Sequence, residues 1–137
     1  MTDAPTRFEP TASPGGEPFW EGTREGRFLL PWCTACGRPH WYPREVCPHC
    51  LSEDLDWREA SGVGTVYAVS VMPKPGNPTM AGREPYAVAL VDLAEGVRMM
   101  AEVTGADPYA VEVRDDVCLD WEPLTDGRRL PVWRRPE

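Results

Sequence analysis

The sequence predicts a mainly β protein: a short N-terminal helical segment, a cysteine-bearing lobe and a small five-stranded barrel. Sixteen prolines in 137 residues restrict helix content, because each removes a backbone donor and fixes φ. Apart from one short run at 27–32, period-2 apolar patterning lies in the part after Gly62. Four of the five cysteines fall in two close pairs between residues 33 and 50, well before that part begins. With 42% hydrophobic and 26% charged residues the composition is that of a folded chain, and its length suits one unit or two lobes sharing a core.

The elements follow in chain order. Residues 1–16 are polar and rich in Pro, Thr and Gly, with Phe8 the sole large apolar residue after Met1, and predict a disordered or loosely draped tail. Residues 17–32 predict a helix and a short strand. Pro18 stands where a first helical turn begins, and Phe19, Trp20 and Thr23 share one face. Gly22 and Gly26 limit that helix to two or three turns. From Arg27 to Trp32 the residues Phe28, Leu30 and Trp32 alternate, as in a strand leading to the cysteines. Residues 33–56 form the cysteine lobe and residues 57–137 the barrel.

Within the barrel, 64–72 and 85–93 are rich in Val, Tyr and Ala with Gly and Pro at their borders, as strands are. The loop between them, 73–84, holds three prolines and two glycines and predicts no regular structure. Ala94-Glu95-Gly96 reads as a hairpin turn into 97–103, with Gly96 supplying positive φ. Asp107-Pro108 opens a stretch with room for one helical turn. Strands at 116–123 and 128–135 flank the turn Thr125-Asp126-Gly127. Five strands with one long loop suit a small Greek-key barrel.

Charge excludes several partners. Fourteen basic against 22 acidic residues give −8, Lys74 is the only lysine, and such a chain repels nucleic acid and anionic membranes. No run of about 18 apolar residues and no secretory leader pattern is present, so the expected location is the cytoplasm. Thiols there stay reduced, and clustered cysteines bind metal rather than pair as disulfides.

The sharpest motif is Cys33-Thr-Ala-Cys36-Gly37 followed by Cys47-Pro-His-Cys50, with ten residues between Cys36 and Cys47. Each C-x-x-C turn presents two sulfurs converging on one point, and two turns close a tetrahedral shell around one structural zinc. Gly37 permits the backbone reversal after the first pair, and Pro48 stiffens the second. Iron fits the same four-sulfur shell, since spacing alone does not separate the two metals. A thioredoxin-like dithiol would need a βαβ context that this region lacks. A closed shell has no open position to activate water, so the metal is scaffolding. His40 and His49 are read as surface or hydrogen-bonding neighbours of the ligands. Cys118, inside a period-2 strand, is read as a small packing residue.

The segments PFWEGTREGRFLLPWCTACG, YPREVCPHC, WREASGVGTVYAVSVM and PYAVALVDLAEGVRMMAEV, in that order, resemble the zinc-ribbon and OB-fold proteins once called domain of unknown function 35. The resemblance runs from about Pro18 to Trp133. It implies an N-terminal helical segment, a rubredoxin-like zinc ribbon and a C-terminal five-stranded OB-fold barrel. It also implies work beside a thiolase-fold enzyme acting on acyl-CoA: a thiolase, a lipid-transfer-protein-like retro-aldolase of steroid side-chain breakdown, or an acyltransferase or HMG-CoA synthase-type complex. Where the family has an Ile-Gly-Met-like turn before the penultimate strand, this chain reads Val113-Arg114-Asp115-Asp116-Val117, which leaves that turn's geometry open.

The function these readings favour is a non-catalytic accessory subunit, because no catalytic constellation is evident. Trp20, Trp32 and Trp41 flank the ribbon and are candidates for partner contact, tryptophan and arginine being enriched at binding hot spots. They are equally suited to filling a small core. Lys74 and Arg83 in the 73–84 loop are candidates for the phosphates of CoA, against the plain reading of solvated loop charges. CoA itself is expected to be held mainly by the partner, in a hetero-oligomer. Nucleic-acid binding, known for zinc ribbons and OB barrels, and electron transfer through iron are the competing functions. Four thiolates and one Zn2+ would take the formal charge from −8 to about −10, which weighs further against nucleic acid. The prolines mark the tail, the ribbon turns and the 73–84 loop as the places where a partner is expected to dock.

Overall fold

A computed structural model describes residues 7–105 and 107–136. The first six residues of the expected disordered tail lie outside the described residues. Residues 7–16 contain no helix or strand, yet they are tied down along the barrel. Arg7 Nη1 meets Glu122 Oε2 at 2.8 Å, Phe8 N–H donates to Thr79 Oγ1, and the Glu9 carboxylate accepts from both the N–H and the hydroxyl of Thr125.

Helix α1 spans Glu17–Arg24, 8 residues with proline in its first turn, and buries Phe19, Gly22 and Thr23. The buried Thr23 hydroxyl is satisfied on both sides: it donates to the Trp20 carbonyl at 2.6 Å and accepts from the Arg129 N–H at 3.1 Å. Strand β1, Leu29–Cys33, pairs antiparallel with β2, Leu55–Glu59. The second of these strands is absent from the sequence reading. Its Leu-Asp-Trp-Arg-Glu run is largely exposed and has no local signal; it is a strand because β1 lies beside it.

The remaining strands are β3 (Val63–Met72), β4 (Tyr86–Leu93), β5 (Arg98–Thr104), β6 (Asp116–Pro123) and β7 (Arg129–Arg134). They close a barrel in the order β3-β4-β5-β7-β6, with β3 returning to β6. The five predicted strands are present: β6 keeps the expected bounds, and the other four differ by one residue at one or both ends. β4 alternates buried Ala87, Ala89, Val91 and Leu93 with half-buried neighbours, the pattern of a wall with one face in the core. The β4–β5 hairpin turns at Gly96 with φ 96°.

The 73–84 loop departs from expectation in one respect. Pro78–Met80 forms a single 3-10 turn, because the Asn77 side chain accepts from Thr79 N–H and proline suits its first position. The helical turn after Asp107 is present as a 3-10 turn at Pro108–Ala110. At the turn before β6, Arg114 takes φ 77° and brackets Val66 by two backbone hydrogen bonds, Arg114 N–H to Val66 O and Val66 N–H to Asp115 O.

One core runs through both lobes. Phe19 and Phe28 pack edge to face with ring centroids 5.4 Å apart, and both touch Trp41 of the ribbon, at 4.9 and 5.4 Å. They join the buried Val66, Val91, Met99, Val117 and Trp133 of the barrel. The ribbon is therefore not an appendage; its inner face completes the barrel's apolar interior.

The barrel is closed most sparingly between β5 and β7. β5 and β7 run parallel and pair only at Val103 with Trp133 and Thr104 with Arg134. Before that point they part, and a cavity of about 370 Å3 lies between Met99–Glu102 and Leu130–Val132, walled by Trp20 of α1, Trp41–Pro43 of the ribbon and part of the 7–16 segment.

Candidate functional site

The ribbon brings Cys33, Cys36, Cys47 and Cys50 together. Their four sulfurs lie within 4.8 Å of one another, with Cys33 to Cys50 at 3.6 Å and Cys36 to Cys47 at 3.7 Å. Four sulfurs at the usual zinc distance of about 2.3 Å would form a tetrahedron with edges of about 3.8 Å, so the residues fit one tetrahedral ion. The donor set is soft and closed: four thiolates and no place for water or substrate.

The two knuckles share one backbone design. In the first, Gly37 N–H donates to the Cys33 carbonyl at 2.9 Å and Cys36 N–H points at Cys33 Sγ at 3.4 Å. In the second, Leu51 N–H donates to the Cys47 carbonyl at 2.8 Å and His49 N–H points at Cys47 Sγ at 3.3 Å. Gly37 has φ 76° and Leu51 φ 65°. Glycine in the first position was legible; a leucine in the left-handed region was not, since leucine has no preference for it.

Ionisation of the set is coupled. Burial pushes the Cys47 thiol up, but the amide N–H groups of Cys50 and His49, helped by neighbouring thiols, bring it down to about 7. At Cys50 the Ser52 amide pulls downward, while burial and the sulfurs of Cys33, Cys47 and Cys36 push the thiol up to about 12. The first thiolate thus holds its neighbours protonated, and a bound dication is what allows all four to ionise.

His40 is not a surface residue. It is 3% exposed, neither ring nitrogen has a protein hydrogen-bond partner, and burial, with His49 and Arg44 nearby, lowers its basicity. His49 is exposed, with Nε2 3.3 Å from the Pro39 carbonyl oxygen. Cys118 is half-buried rather than packed in the core, and its thiol donates to the Arg134 carbonyl at 3.4 Å.

The three candidate tryptophans have separate settings. Trp20 and Trp41 line the cavity between β5 and β7. Trp32 stays on the ribbon, where Nε1–H donates to the Gly37 carbonyl at 3.0 Å and Arg58 lies 4.9 Å over the ring. All three are half-buried, so they combine a packing role with a partly open face.

The two candidate phosphate contacts also separate. Lys74 is exposed in its loop. Arg83, expected to be open to a phosphate, is engaged by protein carboxylates instead: Nη2 meets Glu122 Oε1 and lies 3.9 Å from Glu102 Oε1. Arg7 approaches the same two glutamates, making a four-membered ionic cluster that pins both the 7–16 segment and the 73–84 loop to β5 and β6. This cluster and the adjoining cavity escaped the sequence reading, because their members come from four separate segments with no motif in common. Among the described residues no helix is long and apolar enough to cross a membrane.

Comparisons with known proteins agree with this architecture. A model described as the ChsH2 rubredoxin-like zinc ribbon domain matches residues 20–56, and one described as the ChsH2 C-terminal OB-fold domain matches residues 57–122. The probable enoyl-CoA hydratase alpha subunit of Thermomonospora curvata is 39% identical over 117 residues, 85% of this chain but only 36% of that protein. The chain therefore spans about a third of that relative's length. The benzoylsuccinyl-CoA thiolase subunit BbsA of Geobacter metallireducens is 31% identical over 120 residues, covering 86% of this chain and 73% of that one. A solved structure, described as the Ltp2-ChsH2(DUF35) aldolase, matches with a TM-score of 0.83 and 35% identity over 93% of this chain and 98% of its own. With a zinc ribbon carrying four clustered cysteines for one metal ion and a closed five-stranded OB barrel behind it, the chain belongs to the ChsH2 family of DUF35 proteins.

Proposed function

We propose that the chain is a non-catalytic accessory subunit of a thiolase-fold enzyme acting on acyl-CoA in lipid breakdown, steroid side chains included. One observation carries the reading: its relatives are named as subunits of enzymes for CoA thioesters, and its fold matches the ChsH2 chain of an aldolase complex over nearly its whole length. In this reading Cys33, Cys36, Cys47 and Cys50 hold one structural zinc that fixes the ribbon against the barrel. The closed thiolate shell supports a structural rather than a chemical role for that metal.

The working form is a cytoplasmic hetero-oligomer in which the partner holds most of the CoA thioester. Engagement of Arg83 by Glu122 supports this division, because it leaves the 73–84 loop with Lys74 as its only cation free of such a pair among the described residues. The acidic balance of the chain speaks against nucleic acid as the partner. The test is purification of the tagged chain from its host, followed by acyl-CoA turnover assays on the chain, its companion and their complex. Expected are a thiolase-fold companion in fixed ratio, no turnover by the chain alone and no micromolar CoA binding by the isolated chain in calorimetry. Turnover by the isolated chain would overturn the reading.

A further inference from the structure

The second zinc knuckle carries a residue that its own fold does not explain. Leu51 is 75% exposed, the most exposed large hydrophobic side chain among the described residues, and its backbone sits at φ 65°. Either feature alone is ordinary. Single exposed leucines are common on protein surfaces, and non-glycine residues do enter the left-handed region. Here they coincide, and the fold gains nothing visible from the side chain. The knuckle needs only the Leu51 N–H, which bonds the Cys47 carbonyl at 2.8 Å, and in the first knuckle Gly37 makes the same bond to Cys33 at φ 76° without strain. Arg114 shares the left-handed backbone at φ 77°, but its exposed side chain ends in a charge that belongs in water.

Strain of this kind persists where something outside the local fold uses the residue. We infer that Leu51 is an anchor side chain, presented by the metal-stapled knuckle to an apolar pocket on a protein partner. Resting on the function proposed above, that partner is the thiolase-fold subunit. The surroundings set the pocket's rim. Val46, at the start of the same knuckle, is 36% exposed, while exposed Glu45, Glu53 and Asp54 outnumber Arg44. This acidic excess in the sequence flanking the apolar tip repels an anionic bilayer and suits a pocket edged by basic side chains. The knuckle is also held by Cys47 N–H to the Ser52 carbonyl at 2.8 Å, so the anchor is presented with little conformational freedom to lose on binding.

The experiment uses the full zinc-loaded chain and, as probe, the thiolase-fold enzyme that co-purifies with the wild type. Leu51→Gly and Leu51→Asn both suit a left-handed position, and Leu51→Met keeps an apolar side chain. The expected result is that Leu51→Gly and Leu51→Asn keep one zinc, melt no lower than the wild type and bind the enzyme at least about tenfold more weakly, while Leu51→Met stays close to wild type. Equal binding by all four chains would overturn the anchor but leave the accessory role standing. Loss of zinc or a lower melting temperature in Leu51→Gly would overturn it too, by giving the side chain a structural role. Failure of the wild type to form any complex with a thiolase-fold enzyme would remove the underlying function, and the anchor with it.

Discussion

At the scale of single residues, the ionic cluster under the 7–16 segment offers a measurable pair of opposites. Glu122 titrates below the usual glutamate range: burial alone would raise it, but hydrogen bonds and charge from Arg7 and Arg83 outweigh that. Glu102, beside it, titrates above the range, chiefly because of burial, with the Glu122 charge adding and Arg83 and Arg7 opposing. A carboxylate depressed in the fold stabilises it above the unfolded-state value and loses that contribution as pH falls through the folded one. Glu122→Gln should therefore lower the melting temperature at neutral pH, with the deficit closing as pH falls below 4.5, the ordinary glutamate value. For Glu102 the sign reverses, since its charged form is the one the fold disfavours. Glu102→Gln should raise the melting temperature at neutral pH and leave it unchanged in acid, in thermal melts over the same pH series. Nothing about either glutamate was legible in the sequence. Each is one acid among 22, and only the closed barrel brings them to the same two arginines.

At the scale of elements, α1 is docked through a polar contact as much as an apolar one. Thr23→Val keeps the shape of the side chain but strips the Arg129 N–H of its acceptor, and should cost about 1–3 kcal/mol in denaturant titration. Gly64 tests the barrel wall in the same way. A Cβ there would lie 2.7 Å from Val91 Cγ1 and 3.2 Å from the Asp92 carbonyl oxygen, so Gly64→Ala should destabilise by about 1–3 kcal/mol through overpacking. The barrel strands and the helical turn after Asp107 were readable because alternation, proline and capping residues are local signals, whereas the Pro78–Met80 turn was hidden in a loop read as irregular. β2 was not, since Leu55–Glu59 has little buried surface and is a strand only through its pairing with Leu29–Cys33. The gap between β5 and β7 was equally invisible: it depends on two strands 25 or more residues apart pairing at two positions and parting elsewhere.

At the scale of the whole molecule, the ribbon and the barrel share one apolar core. Trp41 of the ribbon packs on Phe19 and Phe28, which belong to the same buried cluster as Val91 and Trp133. Zinc removal should therefore destabilise the barrel as well as the ribbon. Chelation near pH 7 is expected to lower a single unfolding transition by at least about 10 °C in calorimetry, and a barrel that melts unchanged would separate the two lobes. The four ligands were legible because C-x-x-C spacing is dictated by the geometry of one ion, whereas the sharing of a core was not, because it arises from aromatic contacts between distant segments.

The accessory role is tested most directly by a native mass spectrum of the tagged chain purified from its host. The expected spectrum shows a complex in which this chain carries one zinc and is joined to a thiolase-fold subunit in fixed stoichiometry. A spectrum showing the zinc-bearing chain alone, with no such subunit at any collision energy, would contradict that role.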